Sequence, residues 1–178
     1  MNMKIILGAN ISANGKVLLG ENPDHHAPDQ ATNSLMQMAL QAGNLVIGRK
    51  TYDFIAQFPG GIKQMLPGAE VVIISSQPDY PADVPVIGSA KKAISYLAEK
   101  GFQDVAVGGG TEIYNLFLDQ ELVTDIYFNL IPVITGDGGV LGTASQVATR
   151  FHLAGSRVLD EGIVQLHLTR NPPDGGSL

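Results

Sequence analysis

The sequence predicts an α/β protein: a mostly parallel central sheet with helices on its faces, closing in antiparallel strands at the C-terminal end. Three observations carry this expectation. Short continuous apolar runs bounded by glycine or asparagine, the pattern of strands buried on both faces, recur along the first two thirds of the chain. Segments with apolar residues at helical spacing follow them. The C-terminal part instead alternates apolar and polar residues around turn signals, as antiparallel strands do.

Residues 3–9 form the first apolar run, ended near Asn10, and its continuous hydrophobicity places it centrally in the sheet. Residues 12–28 are rich in Asn, Gly, Pro, Asp and His, with Asn14-Gly15 as a turn, and read as a long loop. Over 31–42, Leu35, Met36, Ala39 and Leu40 fall at helical spacing, and Gly43-Asn44 supplies a stop. Leu45-Val46-Ile47 is a second strand, which runs through Gly48-Arg49-Lys50-Thr51 into a short helix carrying Tyr52, Ile55 and Phe58. A loop over 59–68 precedes a strand over 70–76 with Val71-Val72-Ile73-Ile74 at its centre. Ser89 is the expected N-cap of a helix ending at Lys100, with Gly101 just past its end. A strand over 104–107 leads into Gly108-Gly109-Gly110, and helical spacing returns at Ile113, Leu116 and Phe117. The β-rich stretch 125–133 and the stretch 157–169, with a hairpin turn at Asp160-Glu161-Gly162, read as antiparallel strands. Residues 1–170 are expected to form one domain and 171–178, rich in Pro and Gly, a flexible tail.

Composition narrows the function. At 178 residues, 44% apolar and 16% charged, the chain has the makeup of a globular domain with a substantial core. Its net charge of −6, with no basic block, is a poor match to a nucleic-acid backbone or an anionic membrane surface. The absence of cysteine excludes disulfides, a thiol nucleophile and thiolate metal sites. The first apolar run is too short for a membrane span or signal core, so a soluble cytoplasmic protein is expected.

Two glycine turns carry the chemistry. Each follows a strand and opens a helix, where ligands bind in open α/β sheets because helix N-termini present unpaired N–H groups. Gly48-Arg49-Lys50-Thr51 adds a guanidinium, an ammonium and a hydroxyl suited to a phosphate ester; its plain alternative is a tight turn with solvated cations. Gly108-Gly109-Gly110-Thr111 demands a reason for its backbone freedom, either a pyrophosphate or a packing bend. Neither turn fits the dinucleotide fingerprint or the P-loop, which disfavours those classes. The loop residues Asp24, His25, His26 and Asp29 read as solvated rather than as a metal site.

In order along the chain, Ile47-Gly48-Arg49-Lys50-Thr51-Tyr52, Ile73-Ile74-Ser75-Ser76-Gln77-Pro78 and Val107-Gly108-Gly109-Gly110-Thr111-Glu112-Ile113-Tyr114 resemble the dihydrofolate reductase superfamily. Ser12-Ala13-Asn14-Gly15-Lys16, and Leu130-Ile131-Pro132-Val133-Ile134 before Gly136-Asp137-Gly138, resemble the branch typified by the reductase domain of the riboflavin-biosynthesis deaminase-reductase. The resemblance implies a three-layer dihydrofolate reductase-like fold and an NADPH-dependent reductase acting on a pyrimidine-derived or pterin-like substrate. It implies that Arg49, Lys50 and Thr51 hold adenosine phosphates, Ser75 and Ser76 the 2′-phosphate, and Gly109, Gly110 and Thr111 the pyrophosphate. The resemblance also places Gly48, Gly108, Glu112 and Ile113 in the same cofactor-binding turns and implies that Ala9 and Ile11 lie beside the nicotinamide. A homodimer is expected as well.

The substrate side departs from the family pattern. The chain has no tryptophan, whereas dihydrofolate reductases carry one shortly before a buried carboxylate. Asp29 is the nearest match to that acid, with a first-turn helix acid as its plain alternative. Gly8 and Asn14 stand where the riboflavin branch usually has Lys and Asp. Asn10, Tyr114 and Asn129 are the expected substrate-pocket residues. Dihydrofolate reductase itself and a non-catalytic nucleotide-binding module are the two alternative readings.

Overall fold

Val71-Val72-Ile73-Ile74 offers no polar face to water, and the chain buries all four residues by flanking their strand with others and covering both sides with helices. The structure is a computed structural model that describes residues 3–19 and 26–171. Its strands are β1 (Lys4–Ser12), β2 (Asn44–Gly48), β3 (Glu70–Ile74), β4 (Val86–Ile87), β5 (Asp104–Gly109), β6 (Asp125–Ile131), β7 (His152–Val158) and β8 (Val164–Thr169). The helices are α1 (Asp29–Ala42), α2 (Arg49–Ala56), α3 (Gly61–Met65), α4 (Ala90–Glu99) and α5 (Thr111–Asp119). All eight strands join one sheet in the order β4-β3-β2-β5-β1-β6-β8-β7. Pairing is parallel from β4 across to β6, and antiparallel from β6 to β8 and from β8 to β7.

The predicted architecture is therefore present, and β1 lies centrally between β5 and β6. Helices α4 and α5 share a core cluster with Leu7, Val107 and Phe117, while α1 and α3 share the cluster holding Ala39, Ile47 and Ile73. These two clusters are the seams where the helices pack on the sheet in a three-layer arrangement. Gly43 ends α1 in the left-handed conformation at φ 73°. The Ser89 hydroxyl caps α4 by accepting from the Lys92 amide at 3.2 Å. Among the described residues no helix is long and apolar enough to cross a membrane.

Several boundaries differ from expectation for identifiable reasons. Strand β1 continues to Ser12, because Asn10 and Ser12 are polar yet buried and hydrogen-bonded. Strand β6 is antiparallel only toward β8; toward β1 it is parallel, and cover on both faces erases its period-2 burial. The expected loop over 59–68 contains α3, which buries Ile62. Strand β4, two residues long, leaves no periodic signal. Asp160–Gly162 is a 3-10 turn between β7 and β8, and β7 is an exposed outer edge with Leu153 and Val158 facing solvent. Of the expected tail, residues 172–178 lie outside the described residues, as do Asp24 and His25; His26 is exposed.

Candidate cofactor cleft and substrate end

Because β3, β2 and β5 are neighbours in the sheet, the three motifs at their C-terminal ends arrive side by side. Arg49 opens α2 directly after β2, Thr111 opens α5 after β5 and Gly110, and Ser75-Ser76 follow β3. Together they line a cleft of about 510 Å³, with Leu19, Gly88 and Leu116 as further walls. Gly88 lies just beyond β4, so the strand missed in the sequence also accounts for a missed wall. Leu19 and Leu116 carry only the ordinary apolar signal.

Both helices entering this cleft have glycine N-caps, Gly48 and Gly110, and neither receives a side-chain cap. In α5 the Ile113 amide donates to the Gly110 carbonyl at 3.0 Å, so among the described residues the Thr111 and Glu112 amides are the first-turn donors without such a backbone acceptor, and the dipole end favours an anion. The turns are also packed tightly. A Cβ on Gly48 would sit 2.8 Å from Ile113 Cγ1, and one on Gly110 would sit 3.4 Å from Thr51 Oγ1. Glycine here keeps the two backbones close enough to face one ligand.

Arg49 is held rather than free. Its Nη1 donates to Gln77 Oε1 at 2.6 Å, and its guanidinium lies 5.6 Å from the centroid of the Tyr80 ring. Tyr80 in turn donates to Asp53, while Ser75 Oγ accepts from the Gln77 amide at 3.1 Å. Guanidinium and serines thus gather at the end of β3. Lys50, largely exposed, stands 3.9 Å from Glu112 across the mouth of the cleft. Gln77 and Tyr80 are positioning groups that the motif reading passed over, although Gln77 lies inside a quoted motif.

Other expected site residues fall elsewhere. Gly109 is buried at φ 96°, and a Cβ there would press 2.8 Å against Tyr114. Gly108 lies in β5, where an added Cβ would meet Leu45 Cδ1 at 2.6 Å. Ala9 is fully buried in the core cluster of α4 and α5, and Ile11 packs partly buried beside it on β1; neither lines the cleft. Tyr114, expected in the substrate pocket, is buried, and its hydroxyl donates to the Gly8 carbonyl at 2.6 Å. Burial raises the pKa of that hydroxyl far above the ordinary tyrosine range, so it remains a donor. Its place is structural, tying α5 to β1. Tyr114→Phe should lower the unfolding free energy by about 1–2 kcal/mol, since the Gly8 carbonyl loses a buried donor. Urea denaturation checks this, and an unchanged midpoint would contradict the tie.

At the substrate end, Asp29 does not occupy a buried pocket. It is exposed at the head of α1, where a first-turn acid favours the helix dipole. The buried polar groups there are Asn10, Asn129 and Gln165. Asn129 is fully enclosed, so it supports its neighbours rather than lining a pocket as expected. Gly8 lies beneath α1, and a Cβ would meet Met38 Cε at 2.7 Å and Leu35 Cδ2 at 2.9 Å. A side chain at this position would have to push those two side-chain ends aside.

An open, mostly parallel sheet whose strand ends bring two uncapped helix N-termini and a fixed guanidinium to one cleft defines an α/β protein with a cleft suited to a phosphorylated ligand. The family model for dihydrofolate reductase matches residues 32–138, which span the whole cleft except Leu19. The chain belongs to the dihydrofolate reductase family. No curated protein matches it by sequence.

Solved structures share the fold. A protein of Shewanella sp. PV-4 provisionally assigned to riboflavin biosynthesis is 22% identical, with a TM-score of 0.72 over 96% of this chain and 100% of that one. A pyrimidine reductase-like protein of Corynebacterium diphtheriae is 18% identical, with a TM-score of 0.72 over 94% and 91% of the two chains. The diaminohydroxyphosphoribosylaminopyrimidine deaminase/5-amino-6-(5-phosphoribosylamino)uracil reductase of Thermotoga maritima is 14% identical, with a TM-score of 0.69 over 94% of this chain and 56% of that one. The chain thus spans just over half of that bifunctional protein.

Proposed function

We propose that the protein is an NADPH-dependent reductase that delivers a hydride to a pyrimidine-derived substrate resembling 5-amino-6-(5-phosphoribosylamino)uracil. The observation that carries this is the convergence of three strand-end segments suited to an anion on one cleft, with Arg49 and the serines Ser75 and Ser76 among its walls. The residues fit the cofactor. Uncapped amides at α2 and α5 suit its phosphates, the glycines leave room for close approach, and the guanidinium and serines suit a 2′-phosphate. Bound there, the cofactor supplies the hydride; the chain binds and orients it.

Dihydrofolate reductase is the weaker reading, because the chain lacks tryptophan and Asp29 is not buried. No acid is assigned. We further propose a homodimer, for which the exposed edge strand β7 offers the unpaired backbone. Titration of the full chain with NADPH and NADH, followed by nicotinamide fluorescence, tests the proposal. Saturable binding that prefers NADPH, followed by its oxidation on adding 5-amino-6-(5-phosphoribosylamino)uracil, is the expected result. No binding of either nucleotide would overturn the proposal, and binding without turnover on any pyrimidine or pterin would leave a nucleotide-binding module.

A further inference from the structure

A chain of side-chain amides runs through the sheet from its outer edge to β1. Arg157 Nε on β7 donates to Gln165 Oε1 on β8 at 2.8 Å. Gln165 Nε2 donates to Ser34 Oγ at 2.7 Å and to Asn129 Oδ1 on β6 at 2.9 Å. Asn129 Nδ2 donates to the Ala31 carbonyl and to Asn10 Oδ1 on β1, each at 3.0 Å.

An amide can ordinarily be turned end for end at little cost, but this series cannot. A guanidinium only donates, so the Gln165 atom that faces Arg157 must be its oxygen. A backbone carbonyl only accepts, so the Asn129 atom that faces Ala31 must be its nitrogen. The two fixed points, one at each end of the Gln165–Asn129 pair, agree on one direction. Asn10 must therefore present its oxygen to Asn129 and its Nδ2 the other way.

No described residue accepts from that nitrogen, and although Asn10 as a whole is only 7% exposed, the nitrogen is not among the side-chain atoms shut off from solvent. It lies on β1 at the C-terminal end of the parallel strands, the end where the cofactor cleft opens, and on the sheet face covered by α1. A donor that is fixed in direction and still reached by solvent can exchange its water for an acceptor atom of a ligand. We propose that Asn10 is a specificity-determining residue that donates to an acceptor atom of the substrate, with Asn129, Gln165 and Arg157 as positioning residues that fix its direction. The inference rests on the reductase reading. It selects ligands that offer a ring carbonyl over those that offer an amino group at the same position.

The test uses the full chain saturated with NADP⁺ and two probes, 5,6-diaminouracil and 2,4,5,6-tetraaminopyrimidine, which exchange carbonyl acceptors for amino donors on one ring. Calorimetric titration should show the uracil binding about tenfold tighter to the native protein. Asn10→Asp should abolish or invert that preference while NADPH affinity changes less than about twofold. Arg157→Lys, which keeps a donor, should retain the preference, and Arg157→Glu, which opposes the chain's direction, should lose most of it. Should Asn10→Asp fail to fold, the Asn10 side-chain amide resonances of the native protein give the same answer, since they should shift with the uracil and not with the tetraamine. Native protein that binds both probes alike, or neither, overturns the inference. Failure to bind NADPH would instead remove the reductase reading beneath it.

Discussion

Replacing Gly109 by alanine should destabilise the protein by about 2–5 kcal/mol and abolish measurable nucleotide binding. Two effects add. At φ 96° an alanine is strained by its own backbone, in a region that L-residues rarely adopt. The new methyl would also lie 2.8 Å from the Tyr114 ring, which is buried and anchored to the Gly8 carbonyl and so cannot swing away. Relief must come from the backbone, and the backbone leads straight into Gly110 and the open N-terminus of α5. The stability loss would appear as a fall in the urea midpoint, and the site loss as the absence of NADPH fluorescence enhancement in whatever protein remains folded. The same substitution at Gly101, also at positive φ but with nothing near its Cβ, separates the two effects. It should cost about 1–2 kcal/mol and leave NADPH affinity unchanged. An equal stability cost at both positions would mean that the contact with Tyr114 contributes nothing.

Arg49→Ala should weaken NADPH binding by about 10- to 100-fold while changing NADH affinity less than about threefold. The range follows from losing one or two charge-assisted hydrogen bonds to a phosphate, roughly 1.5–3 kcal/mol. The guanidinium is already held by Gln77 and stacked near Tyr80, so little ordering entropy is spent when the ligand arrives. Arg49→Lys should recover only part of the loss, since an ammonium cannot present the same planar fork. Fluorescence titrations with both nucleotides, at two salt concentrations, read all of this. Equal losses for NADPH and NADH would move Arg49 from the 2′-phosphate to the phosphates common to both cofactors. No loss for either would remove the cleft from cofactor binding.

Much of this site was legible before the fold was known, for a physical reason. Strands buried on both faces must be continuously apolar, so Leu45-Val46-Ile47, Val71-Val72-Ile73-Ile74 and Val105-Ala106-Val107 stood out without a partner in view. Glycines directly after such strands mark turns where a helix N-terminus opens. Groups whose meaning depends on what faces them were not legible. Tyr114 reads equally well as a pocket wall and as a buried tie, and Asp29 as a buried acid and as an exposed first-turn residue. Asn10 reads as the end of the first apolar run and Ser12 as the start of a loop because they are polar, yet they complete a central strand because Asn129 and Asn14 satisfy them.

The sequence by itself determined the order of the longer strands and helices, though not α3 or β4, the position of both glycine turns at strand ends, and the cationic and hydroxyl character of the residues beside them. Those properties are local: they follow from periodicity, from backbone freedom at glycine and from side-chain chemistry. Tertiary structure alone decided that β3, β2 and β5 lie side by side, so that three separate motifs become one cleft. It also decided the direction of the Arg157–Gln165–Asn129–Asn10 chain, in which Arg157 on the outermost strand fixes an amide two strands away. A hydrogen bond's direction is set by both of its partners, and these partners lie up to 119 residues apart in sequence.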